Sequence, residues 1–197
     1  MVLAPKLVSF NRRCPDVVLE ITTTQEGRTE LVAAGFDAGI HLGESIQRDM
    51  VAVRVSRDQR LAVIGSPEYF ASHPKPSTPH DLPNHRCINL RGGSPRPYGW
   101  EFEKGDEAVV VDVSGPLIVD DADLMIRAAV DGLGLTFSFE EYVASQIASG
   151  ALERVLEDWC PPFPGYFLYY PEPAAAVGRA VRADRGPPYV EESRREH

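Results

Sequence analysis

The chain has 197 residues, 43% of them apolar and 25% charged, the proportions of a soluble globular protein with a core to bury. Its formal charge of −9 excludes a surface that grips phosphate backbones by itself, because non-specific nucleic-acid affinity comes mainly from Lys and Arg contacts. The three cysteines, Cys14, Cys87 and Cys160, are far apart and odd in number, which excludes a disulfide framework and a zinc ribbon; no apolar run is as long as a membrane span, and no secretory signal pattern opens the chain.

In chain order, Leu3, Leu7 and Phe10 recur at helical spacing, Pro5 suits a first turn, and Cys14-Pro15 stops the segment. Val17, Leu19 and Ile21 alternate as a strand, and a helix around Glu26 to Ala34 ends at Gly35 before a strand over Phe36 to Ile40. A helix, strand, helix, strand series predicts a parallel α/β sheet. Met50 to Val55 and Arg60 to Gly65 are further strands, and Ser66-Pro67 supplies a cap and a first-turn proline for a short helix through Phe70. A proline-rich loop from Pro74 to Pro83 leads to the strand Cys87 to Leu90. Trp100 to Phe102 and Ala108 to Val113 flank the turn Lys104-Gly-Asp106 as a hairpin. Leu117 to Val119 is a strand, followed by a helix with acidic first-turn residues.

The stretch DGLGLTFSF, Asp131 to Phe139, looks like a phosphate-binding glycine loop, but a dinucleotide fingerprint runs strand, glycines, helix. Here the helix comes first and the strand second, so the glycines meet carbonyls and the negative end of the helix dipole. Gly132 therefore predicts a sharp helix-to-strand return at positive φ. Glu140 to Ser149 is a helix closed by Gly150, Tyr166 to Tyr170 an aromatic strand, and Pro173 to His197 an irregular tail without an apolar stripe.

No G-x-S-x-G occurs, and His41, His73, His80 and His85 are dispersed; the last three sit in or beside the proline-rich loop and read as solvated. His41 follows a strand, where α/β sheets place ligand groups, so a binding or supporting role suits it better than zinc ligation. Asp120, Asp121 and Asp123 fit a helix N-terminus, with a metal cluster or acid/base pair as the sharper alternative. Trp100, Phe137 and Phe139 suit either a pocket wall or plain core. The sequence predicts neither cofactor nor resident metal, and no catalytic constellation assembles.

Taken together, several stretches resemble the effector-binding domain of LysR-type transcriptional regulators. They are Leu3 to Phe10 with Cys14 to Glu20, Gly35 to Ile40 with Leu42 to Ser45, Gly65 to Phe70, His80 to Cys87, Leu124 to Leu135, and Leu156 to Trp159 before Tyr166 to Pro171. The resemblance implies an α/β, two-lobed fold of the type 2 periplasmic-binding-protein kind, with residues 1–64 in lobe I, 65–139 in lobe II, 140–171 returning to lobe I and 172–197 as the tail. Crossovers would fall near Val63 to Gly65 and Phe139 to Val143. A small-molecule effector would lie between the lobes, contacted by Thr24, Gln25, His41 and Glu44 from the first and by Ser66, Asn89, Arg91, Asp121 and Phe137 from the second.

The same resemblance implies a homodimer or tetramer in the cytoplasm that is not an enzyme, reaching DNA only through an N-terminal helix-turn-helix outside these residues, with no membrane partner. A solute-binding protein with the same lobes is the alternative. Two departures accompany the match: the family's first lobe-I strand precedes the helix at Leu3 to Arg13 and is lacking here, and no amphipathic helix closes the tail. Both suit a shortened or frame-disturbed gene product and predict a loose first lobe.

Overall fold

A computed structural model describes residues 3–23, 35–43, 50–91 and 99–172. Helix α1 spans Ala4–Arg13, with Pro5 in its first turn and Arg12 and Arg13 in its last, where they complement the carbonyl end of the dipole. It ends where the Cys14 N–H donates to Phe10 O at 2.9 Å, and none of its residues is buried. The expected strand over Val17 to Ile21 does not form. Val18 is 93% exposed, and no described strand pairs with this segment. Apolar alternation specifies which way side chains face once a strand is paired; without a ladder it does not hold the backbone extended.

The described residues divide into two units. The first contains 3–23, 35–43, 50–57 and 164–172; the second contains 58–91 and 99–163. In the first, β1 (Gly39–Leu42), β2 (Met50–Arg54) and β10 (Tyr166–Pro171) form a sheet with β10 in the middle. Both pairings are antiparallel, with Ile40 opposite Leu168 and Val53 opposite Leu168 on the other side. The parallel arrangement expected here is therefore absent among the described strands: the central strand arrives from the far end of the chain and runs against both neighbours. Gly165 is required where these segments meet, since a Cβ there would lie 2.0 Å from Arg57 O and 2.2 Å from Ser56 Oγ.

The second unit is built on a five-stranded sheet in the order β7-β4-β8-β3-β9. These strands are β3 (Leu61–Gly65), β4 (Cys87–Leu90), β7 (Leu117–Val119), β8 (Leu135–Phe139) and β9 (Glu153–Val155). Strand β4 runs parallel to β7 and β8, whereas β3 runs antiparallel to β8 and β9. One face, with Ala62, Ile64 and Ile88, is covered by α3 (Ala122–Val130) and α4 (Glu140–Ala148) through Met125, Ile126, Ala129 and Val143. The other face, with Val63, Cys87, Leu135 and Val155, packs under Tyr69 of α2 (Pro67–Ser72), Leu82, Trp159 and the hairpin β5 (Trp100–Lys104) and β6 (Glu107–Val111). Both turns singled out by their glycines behave as read: Gly105 in the hairpin has φ +62° and Gly132 after α3 has φ +79°.

Because β3 lies inside this sheet, the chain passes between units at Arg57 and Asp58 and again at Phe163 and Pro164, not at Val63 to Gly65 and Phe139 to Val143. Residues 140–163 thus stay with the second unit. Strand β9 carried no clear signal, being three residues long with two of them charged. It is held by Arg154, whose guanidinium bonds Glu140 Oε1 at 2.8 Å and Leu61 O at 3.3 Å.

Candidate functional site

Thr24, Gln25 and Glu44 lie outside the described residues. His41 belongs to the first unit, on β1 opposite Phe167, with its ring 6.0 Å from that of Tyr169 at a 54° tilt. The Tyr169 hydroxyl donates to Gly43 O at 2.6 Å and fixes the end of β1. Among the described residues no cluster of His, Cys, Asp and Glu could hold a metal ion.

In the second unit Asn89, Arg91, Asp121 and Phe137 gather where β4, β7 and β8 run out, and Ser66 does not join them. The parallel register places Asn89 beside Ile118 and Leu90 beside Val119, and the Arg91 N–H continues the ladder to Val119 O at 2.6 Å. Two residues later Asp121 caps α3, its Oδ1 accepting from Leu124 N at 2.7 Å. That contact is the helix cap predicted for this acidic stretch. Ser66 follows β3, which runs the other way. Ile64 pairs with Thr136 and Cys87 with Leu135, so Ser66 falls level with Arg86, five residues of strand from Arg91. At about 3.3 Å per residue that is roughly 16 Å. Ser66 is 2% exposed, and its Oγ accepts from Tyr69 N at 3.2 Å. It is a helix cap at the opposite end of the sheet, so the structure does not bring it together with Asn89 and Arg91.

Asn89 has the most specific geometry. It is 5% exposed, on the face that also carries Cys87 and Phe137, and its Oδ1 accepts from the Trp100 indole N–H at 2.8 Å. Trp100, 2% exposed, stacks on Phe137 with centroids 5.4 Å apart, and Phe102 lies 5.2 Å from Phe137 on the same hairpin. Phe137 is thus a partly buried wall held by two aromatics. Sequence reading named Trp100 only as core or wall and missed that it holds Asn89; the signal was a buried tryptophan near a strand asparagine, each needing a partner. The side chain of Arg91, on the same side as Asn89 by alternation, is exposed and has no hydrogen-bond or ion-pair partner among the described residues.

The loop histidines need a correction. His80 is exposed, but His73 stacks on Tyr69 at 4.2 Å and 2°, and His85 Nδ1 lies 3.1 Å from the Tyr69 hydroxyl, which accepts from Arg86 N at 3.0 Å. Burial, then the nearby His73 charge, lowers the His85 pKa despite the opposing pull of Asp81. Burial also raises the Tyr69 pKa, and it pushes the thiols of Cys87 and Cys160 up to about 12 and about 11. Those cysteines are inert core residues, as expected from their small apolar character.

A profile for the LysR substrate binding domain matches residues 1–183. The chain belongs to the LysR substrate-binding-domain family. A putative transcriptional regulator of Pseudomonas aeruginosa is 43% identical over 189 residues, covering 93% of this chain and 61% of that protein. The HTH-type transcriptional regulator PgrR of Escherichia coli is 36% identical over 174 residues, 86% of this chain and 57% of its own length. This LysR domain therefore spans less than two thirds of either relative. In structure it is similar to the regulatory domain of AphB from Vibrio vulnificus, with a TM-score of 0.74 at 23% identity over 86% of this chain and 83% of that one. The similarity to CrgA of Neisseria meningitidis has a TM-score of 0.70 at 23% identity, over 88% of this chain and 58% of that one. These likenesses establish the two-lobed periplasmic-binding-protein-like fold.

Proposed function

We propose that this LysR domain senses a small-molecule effector and that its occupancy modulates transcription through DNA-binding segments outside the described fold. The observation that carries the reading is the convergence of Asn89, Arg91 and Asp121 where β4 and β7 end, beside Phe137. In α/β sheets ligands collect at the carboxyl ends of parallel strands, where side chains and helix N-termini face out. Ser66 is not included; His41, Thr24, Gln25 and Glu44 are retained as the further contacts that the family resemblance implies. The mode of action is binding, not catalysis, in a cytoplasmic homodimer or tetramer, with lobe equilibria read out at the DNA.

A thermal-shift screen of the purified chain against a library of small metabolites tests this. The expected result is a ligand that raises the unfolding temperature of the wild type and loses that effect in Arg91→Ala. A ligand whose effect is untouched by Arg91→Ala and by Asn89→Asp would place the binding function elsewhere and overturn the reading.

A further inference from the structure

Asn89 is unusual in being 5% exposed and polar on a face otherwise packed with Val63, Cys87, Leu135 and Trp100. An amide can turn over, presenting either oxygen or nitrogen, and its direction is ordinarily an assignment. Here the partner decides it. An indole N–H can only donate, so the atom 2.8 Å from Trp100 Nε1 must be the oxygen. The Asn89 Nδ2–H2 is then turned away from Trp100. No described residue accepts from it, yet it is not a sealed orphan, since the buried unpartnered side-chain nitrogen among the described residues is Arg154 Nε. The amide nitrogen therefore keeps some access to solvent although the residue as a whole is buried. Two residues further on, on the same side of β4, the exposed Arg91 guanidinium adds more donors and has no partner among the described residues. At the same end of the sheet Asp121 Oδ1 accepts from the Leu124 N–H of its own helix.

We propose that Trp100 is a positioning residue that sets the polarity of this site. By holding Asn89 Oδ1 it commits Asn89 to donating, so the effector presents a hydrogen-bond acceptor, a carboxylate or carbonyl oxygen, to Asn89 Nδ2 with Arg91 beside it. This rests on the effector-binding reading above and deepens it: a ligand whose group at this point is a donor, such as an amine or amidine, meets N–H groups and leaves both sides unpaired. Discrimination of this kind is strong, because a buried polar group left without its partner costs far more than a lost methylene.

The test uses acetate and acetamidinium, which share size and planarity but are acceptor-only and donor-only. The full chain, labelled with nitrogen-15, is titrated with each at matched ionic strength. The Asn89 amide pair is assigned by its loss in Asn89→Asp, and the Trp100 indole by its loss in Trp100→Phe. Acetate is expected to move the Asn89 amide pair saturably and acetamidinium to leave it still. Asn89→Asp, which keeps an oxygen for Trp100 but replaces the NH2 donor by a second carboxylate oxygen, should weaken acetate binding by about tenfold or more, one lost directional hydrogen bond plus like-charge repulsion. In Trp100→Phe the amide is free to turn, and the preference for acetate should fall by a similar factor. Equal shifts from both probes in the wild type would overturn the proposal. So would an Asn89 pair that acetate leaves unmoved at tens of millimolar, even where the metabolite screen yields an Arg91-dependent ligand; in that case effector binding stands and the assigned polarity falls. Should Trp100→Phe not fold, the wild-type and Asn89→Asp titrations still decide.

Discussion

Replacing Asn89 by Ala removes the acceptor for an indole N–H that has almost no access to water, since Trp100 is 2% exposed. A buried donor left unpaired costs about 1–3 kcal/mol, and the small void adds to that. Trp100→Phe removes the donor instead. It strands Asn89 Oδ1, and it also disturbs the stacking on Phe137 at 5.4 Å, worth a further 0.5–1.5 kcal/mol or so. In the double variant neither partner remains to be stranded. Its loss should therefore fall short of the sum of the two single losses by about 1–2 kcal/mol, the coupling expected of directly bonded residues. Urea unfolding of the four proteins, followed by Trp159 fluorescence or far-ultraviolet circular dichroism, gives the cycle. Additivity within about 0.5 kcal/mol would mean that the Asn89–Trp100 bond contributes nothing, and the argument for a fixed amide would lose its foundation.

Hydrogen exchange should separate the segments: amides of Val63, Ile88 and Thr136 protected, those of Val17 to Ile21 exchanging freely, and equal protection would contradict the unpaired state of the latter. Gly115→Ala should destabilise by about 3 kcal/mol or more or leave the chain insoluble, because its Cβ would sit 2.0 Å from Cys87 O and 2.5 Å from Cys87 N, main-chain atoms that cannot swing aside. His85 has a folded pKa below its ordinary 6.5, so the unfolded chain binds more protons just below that value. Its stabilising effect is full above the unfolded pKa and is lost as pH falls through the folded one, and His85→Gln should flatten the stability profile in this window. A thiol reagent at neutral pH should modify Cys14, which is half-buried, in the native protein and reach Cys87 and Cys160 only on unfolding.

Which parts of this fold were legible follows from how local their causes are. Ser66 before Pro67, Asp121 before α3, Gly105 in the hairpin and Gly132 after α3 each encode one backbone geometry within a few residues, and each is found in place. Strand direction is not local. Nothing in Leu61–Gly65 records that β3 runs against β8, which sets Ser66 at the opposite end of the sheet from Asn89, or that β3 joins the second unit's sheet at all. The strand expected at Val17 to Ile21 depends on a neighbour, so its alternation alone could not fulfil the expectation. Strand β9 was invisible for the converse reason. Its Glu153 and Arg154 hide a pairing that is set by β3 on one side and by the ion pair to Glu140 on the other.

The two ends of the second unit's sheet differ in what they leave unsatisfied, and that difference supports the proposed site. At the end where β4 and β8 begin, the Ser66 hydroxyl accepts from Tyr69 N, the Tyr69 hydroxyl accepts from Arg86 N, and Leu135 N donates to Arg86 O at 2.8 Å. Space is exhausted as well: a Cβ on Gly134 would lie 2.2 Å from Arg86 O, and one on Gly115 would enter the Cys87 backbone. Every polar group named there is spoken for by another on the same chain, which is what a structural end requires. At the opposite end the strands finish in side chains that reach outward. The Arg91 side chain has no partner among the described residues, and Asn89 has its oxygen held by Trp100 while its NH2 has no acceptor among them. An NH2 group can pair only with an acceptor, so the partner proposed for it, effector or water, meets it through an oxygen or another lone pair.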